Sequence, residues 1–124
     1  MIRVLNDGTR YSPPRRLLKY WCQKTIRTFG FPGEADISIA FISKARSRSL
    51  YSRFASRDKP TTVLTFPWQE SEFPGINERQ YLGEILIAPS VVAETYGSEA
   101  KVFRNALRHI TVHATLHLLR FDHG

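Results

Sequence analysis

Acidic side chains are scarce in this chain, cysteine is almost absent, and no apolar run is long. Its 124 residues carry 18 lysines and arginines against 11 aspartates and glutamates, a formal net charge of +7. A field of that sign attracts polyanions such as nucleic acid or anionic lipid, though charge alone does not choose between them. The one cysteine, Cys22, cannot close an internal disulfide. A disulfide-built scaffold is therefore excluded, and a reducing compartment is implied. Cys22 falls inside a predicted helix, as a small hydrophobe would, and no chemistry is assigned to it. No stretch approaches the ~20 consecutive apolar residues of a membrane helix. The opening residues 1–7 lack the apolar segment and small-residue cleavage site of a secretory signal, so the expectation is a cytoplasmic chain with no membrane partner. The length suits one domain, residues 1–124, and no repeat, low-complexity tract or linker divides it.

What is present can be read by period. Residues 2–6 form a short strand ended by the turn-forming Asn6-Asp7-Gly8. Ser12-Pro13 predicts an N-cap and a proline at the first helical position. Leu18, Trp21, Thr25 and Phe29 then recur at helical spacing, widened by Leu17, Cys22 and Ile26, until Gly30 stops the helix. Ile37, Ile39 and Phe41 alternate with Ser38, Ala40 and Ile42, a strand pattern. A basic helix is expected over 44–57. The β-branched and aromatic run 61–66 predicts a strand, suited to an edge and ended by Pro67. Residues 68–79 read as a surface loop and 81–88 as a fourth strand. A short helix over 90–96 breaks at Gly97. Ser98 then caps a long helix from about Glu99, with Phe103, Ala106, Leu107, Ile110, Ala114 and Leu118 as its apolar face. Strands and helices do not alternate regularly, so the expected class is α+β, a sheet packed with helices.

All four histidines, His109, His113, His117 and His123, fall in the last sixteen residues. Random placement would do this roughly once in a few thousand trials, by composition alone. Zinc offers a cause, because neutral imidazole is among its preferred ligands. His113 and His117, four apart on a helix, project from one face with Cβ atoms about 5–6 Å apart. His109 lies about 12 Å along the axis from His117 and is expected to be a hydrogen-bonded core residue instead. His123 completes a set H-x3-H-x5-H if the helix ends near Leu119 or Arg120 and the chain folds back. Three protein ligands leave a fourth tetrahedral position for water, the mark of a catalytic site. Asp122 either orients an imidazole or helps the turn.

The same spacing occurs in the metzincin proteases, H-E-x-x-H-x-x-G-x-x-H. Their general-base glutamate is replaced here by Ala114, which argues against peptide hydrolysis. Phosphodiester hydrolysis needs a separate protein base less, because a metal can polarise the phosphoryl oxygen and supply the nucleophile from bound water. No protein base is assigned.

The run His113-Ala114-Thr115-Leu116-His117-Leu118-Leu119-Arg120-Phe121-Asp122-His123 resembles the signature H-G-x-L-H-L-x-G-Y-D-H of the YbeY family, bacterial endoribonucleases of ribosomal RNA maturation. Two further segments are similar to that family in the same order. Residues 57–67, Arg-Asp-Lys-Pro-Thr-Thr-Val-Leu-Thr-Phe-Pro, match its K-D-x-P-T-D-V-L-S-F-P block, and residues 82–87 match its L-G-D-I-x-I strand. The resemblance implies a mostly parallel four-stranded sheet and one zinc ion held by His113, His117 and His123. It also implies a zinc-dependent endoribonuclease that cuts single-stranded ribosomal RNA, with the small ribosomal subunit as partner and a part in ribosome quality control; DNA is not expected.

Three departures stand out. Ala55 replaces a family arginine expected to contact phosphate, Arg120 replaces the signature's second glycine, and this sequence ends one residue past His123, where the family continues into another helix. Lys44, Arg46, Arg48, Arg53, Arg57 and Lys59 put six cations within sixteen residues. Of these Arg46, Arg53, Arg57 and Lys59 are the candidate RNA contacts. The alternative reading is a non-catalytic, metal-stabilised domain that binds RNA or the ribosome.

Overall fold

The elements run β1 (Ile2–Asn6), α1 (Arg15–Thr28), β2 (Glu34–Phe41), α2 (Lys44–Ala55), β3 (Val63–Pro67), β4 (Arg79–Ile87), α3 (Pro89–Tyr96) and α4 (Ala100–His123). They are seen in a computed structural model that describes residues 1–29, 31, 34–68 and 79–123, without the side chains of 79 and 121–123. The predicted stop at Gly30 and most of the loop 68–79 lie outside the described residues.

One four-stranded sheet has the order β1-β2-β4-β3. β1 and β4 both run parallel to β2, and β3 runs antiparallel to β4. This is the α+β class and mostly parallel sheet that the sequence led us to expect. β3 takes the edge, with Pro67 as its last residue, where a missing N–H disturbs the ladder least.

The alternation in β2 separates two apolar layers. Ile37, Ile39 and Phe41 are fully buried in the main core with Ile85 and Ile87 of β4, Leu18 and Cys22 of α1, and Leu107 and Leu118 of α4. Each such aliphatic side chain contributes about 1.5–3 kcal/mol relative to exposure. On the other face Ala40, Leu86 and Leu64 meet Ile42, Val91 and Leu50 of α2. The sheet therefore stands between the α1–α4 pair and the basic helix α2.

Two helix ends differ from expectation. α1 begins at Arg15, with Pro14 at its N-cap and no side-chain cap bond, rather than at Ser12-Pro13. The reason is Pro14, which keeps Pro13 out of the helical region. α4 continues unbroken to His123, past the expected end at Leu119 or Arg120. Arg120 occupies the position where a glycine would have permitted a left-handed turn, and leucine and arginine both favour helix.

A bulge fixes how α4 meets the sheet. The β2–β4 register shifts between Asp36 and Ile37, and on β4 the chain passes through Gly83 at φ +141°. A Cβ there would lie 2.9 Å from Pro67 Cα and 3.1 Å from Leu118 Cδ2, with the Phe66 carbonyl oxygen closer still. Only glycine allows both the backbone conformation and this close approach.

Candidate metal centre and nucleic-acid interface

Along the second half of α4, buried and exposed positions alternate with helical period. Ile110, Thr111, Ala114, Thr115, Leu118 and Leu119 are buried, while His109, His113, His117 and Arg120 are exposed. His113 and His117 thus share one solvent-facing stripe, as two ligands of one ion would need. Ala114 is in the core, so position 114 does not face the histidine stripe.

His109 is not the core residue expected from sequence. It stands on the same exposed stripe, its ring centroid 4.3 Å from that of His113 at a tilt of 46°. The spacing of four residues was the available signal, set aside because His109 is too far from His117.

The side chain of His123 lies outside those described. With α4 helical to His123, six residues carry it about 9 Å along the axis from His117 and about 120° further round. The described residues place His113 and His117 on one exposed stripe. Among the described residues no group of three or more His, Cys, Asp or Glu side chains is gathered for a metal ion. The donors His113 and His117 suit zinc in type and spacing. A third ligand from His123 requires the last turn of α4 to unwind.

Behind the stripe the helix is anchored to α1. Thr115 Oγ1 donates to the Thr111 carbonyl at 2.7 Å and approaches Cys22 Sγ at 3.4 Å. Burial pushes the Cys22 thiol up from its ordinary 9.0 to about 11, against the smaller opposing effect of the Thr115 contact. Cys22 is accordingly a packing residue with no accessible thiolate.

The basic helix α2 lies across the sheet from this stripe, with edge strand β3 touching both helices. Ser43 caps it by accepting from Arg46 N–H at 3.1 Å. Several of its cations are already paired: Lys44 with Glu94 at 2.9 Å, Arg46 with Asp7 at 3.5 Å and Arg48 with Asp58 at 3.0 Å. The Arg48 hydrogen bond and charge hold the Asp58 carboxyl below its ordinary range. Arg53, Arg57 and Lys59 are exposed, and Ala55 is the last residue of α2, followed by Ser56 in the left-handed region at φ 56°. Of the four candidate RNA contacts, Arg46 and Arg53 therefore lie on the helix across the sheet from His113 and His117, while Arg57 and Lys59 follow it in the link to β3.

Comparison with known proteins bears directly on this arrangement. Residues 7–124 match the family described as Endoribonuclease YbeY. The chain belongs to the YbeY family. It is 32% identical over 112 residues to an Endoribonuclease YbeY of Alkalilimnicola ehrlichii, covering 90% of this chain and 66% of that protein. It is 39% identical over 97 residues to one of Chelativorans sp., covering 78% of this chain and 58% of the relative. The chain thus spans between 58% and 66% of the length of these YbeY relatives, less than two thirds. The solution structure of TM1509 from Thermotoga maritima is similar at 27% identity and a TM-score of 0.58, over 95% of this chain and 71% of that one. The YbeY match includes α4 and its histidines as well as α2 and β3. Among the described residues no helix is long and apolar enough to cross a membrane.

Proposed function

We propose that this chain is a zinc-dependent endoribonuclease that cuts single-stranded ribosomal RNA in ribosome maturation and quality control, in the cytoplasm and in company with the small ribosomal subunit. The observation that carries the reading is the pair His113 and His117, exposed on one stripe of α4 within a segment matched to the YbeY family. His113, His117 and His123 would hold one zinc ion. When bound, such an ion supplies Lewis acidity toward a phosphoryl oxygen, which lessens the need for a protein base. Arg53, Arg57 and Lys59 offer exposed charge to the RNA backbone, and Arg46 does so in competition with Asp7.

A second reading has its own observation. Ala55 closes α2 where the family pattern has an arginine, which suits a metal-stabilised RNA or ribosome-binding domain without cleavage. Incubation with structured and unstructured ribosomal RNA separates the two. Cleavage that a chelator abolishes and zinc restores supports the enzyme. Salt-sensitive binding without cleavage supports the binder, and turnover of casein in place of RNA defeats both.

A further inference from the structure

Half of the 18 cations lie on two helices, Arg15, Arg16, Lys19, Lys24 and Arg27 on α1 and Lys101, Arg104, Arg108 and Arg120 on α4. These two helices together hold one acid, Asp122. Among the described residues the side-chain ion pairs found engage Lys44, Arg46 and Arg48 of α2. None of them engages a cation of α1 or α4. Among the described residues the segment singled out by its sequence as basic is thus partly neutralised by neighbours, while the cations of α1 and α4 keep their charge.

Aromatic rings interleave with that charge. Tyr20 is 55% exposed, and its ring meets the half-buried Trp21 edge-on at 5.2 Å. Lys24 Nζ stands 5.7 Å from the Tyr20 ring centre and 5.9 Å from that of Trp21. From the neighbouring helix the Arg108 guanidinium lies 5.3 Å from the Trp21 ring centre. Arg16, Tyr20, Lys24 and Arg27 follow at spacings of four, four and three, one ridge about 16 Å long at 1.5 Å per residue. A surface of π-faces set among cations fits single-stranded nucleic acid, because bases stack on rings and guanidinium planes while phosphates meet the charge. A duplex offers no free base faces, and an acidic peptide has no stacking groups.

The geometry points to Tyr20, Trp21, Lys24 and Arg108 as a stacking platform for single-stranded RNA on the α1–α4 face. This deepens the RNA-directed reading above and rests on it. By helical phase Arg108 and the stripe of His113 and His117 flank the exposed side of α4, separated by roughly one helix diameter, about 10–12 Å, across the helix and by about 8–14 Å along its axis. A strand held on the platform would cross α4 to reach the histidines, over a surface whose charged side chain before Asp122 is Arg120.

The experiment uses the 124-residue chain, chelator-treated so that binding is read without metal or cleavage, and a fluorescein-labelled single-stranded uridine oligonucleotide. Anisotropy should show Tyr20→Ala and Arg108→Ala each binding about tenfold more weakly than the parent, with unchanged circular dichroism and melting. Lys24→Ala should lower the salt dependence by about 0.7 in the log–log slope. In a Trp68→Phe background, where Trp21 is the remaining tryptophan, the oligonucleotide should quench its emission. Parental affinity in the Tyr20 and Arg108 variants overturns the platform. So does a greater loss in Arg53→Glu/Arg57→Glu than in the α1–α4 variants, or equal binding and equal variant sensitivity with polyglutamate or duplex RNA. Chelator-sensitive RNA cleavage that persists alongside any of these results leaves the nuclease reading standing and removes the platform. Loss of cleavage in His117→Ala with intact oligonucleotide binding separates the two in the opposite sense.

Discussion

Leu118 rests against Gly83 so closely that its Cδ2 would stand 3.1 Å from a Cβ added to the glycine. Leu118 follows His117 directly and is fully buried, so this contact fixes the height at which the exposed histidine stripe stands above the sheet. The conformation at φ +141° and the nearby backbone of β3 leave the bulge no way to relax around a side chain. Gly83→Ala should therefore destabilise the fold by about 3 kcal/mol, read as a lowered urea midpoint. A midpoint equal to the parent's would show that the strand can shift at no cost.

Cys22 links pH to stability. The folded chain holds its thiol proton up to about 11, against an ordinary value of 9.0, so folding binds that proton more tightly than the unfolded chain does. The contribution is fully present below pH 9 and is lost as pH rises toward 11. Between those values the urea midpoint of the parent should fall more steeply than that of Cys22→Ala. Iodoacetamide should label the thiol after denaturation and not before. Labelling of the native chain near pH 8 would show the thiol to be accessible.

His117→Ala should reduce bound zinc to well below one equivalent by elemental analysis, since it removes a ligand the remaining donors cannot replace. Unchanged stoichiometry would place the ion elsewhere.

The third ligand makes a prediction about the backbone. If His123 joins His113 and His117, zinc must unwind the end of α4, and the amide resonances of Leu119, Arg120 and Asp122 should move on titration. Arg120→Gly should tighten zinc binding about fivefold, because a left-handed residue at that point costs an arginine about 1 kcal/mol more than a glycine. Silent amides together with an unaltered affinity would mean that His123 is not a ligand.

Much of the architecture could be read from local chemistry. The alternation of Ile37, Ile39 and Phe41, the β-branched run before Pro67 and the apolar stripe from Phe103 to Leu118 each fixed an element, because period decides which face is buried. The start of α1 was misplaced because two consecutive prolines shift the first helical residue, and the end of α4 because a family glycine is an arginine in this chain. The pairing of His113 and His117 on one solvent face was legible from their spacing, and so was the place of His109 four residues before His113, although its distance from His117 along the axis argued against a shared role.

By itself the sequence determined the class of fold, the excess of positive charge and the histidine-bearing helix, all of which follow from residue type and period along one chain. Only the tertiary structure decided which charges remain available. Asp7 and Glu94 come to the basic helix α2 from elsewhere in the chain and neutralise part of it, and Arg108 reaches Trp21 across two helices. Contacts between residues distant in sequence depend on packing, which no local pattern encodes.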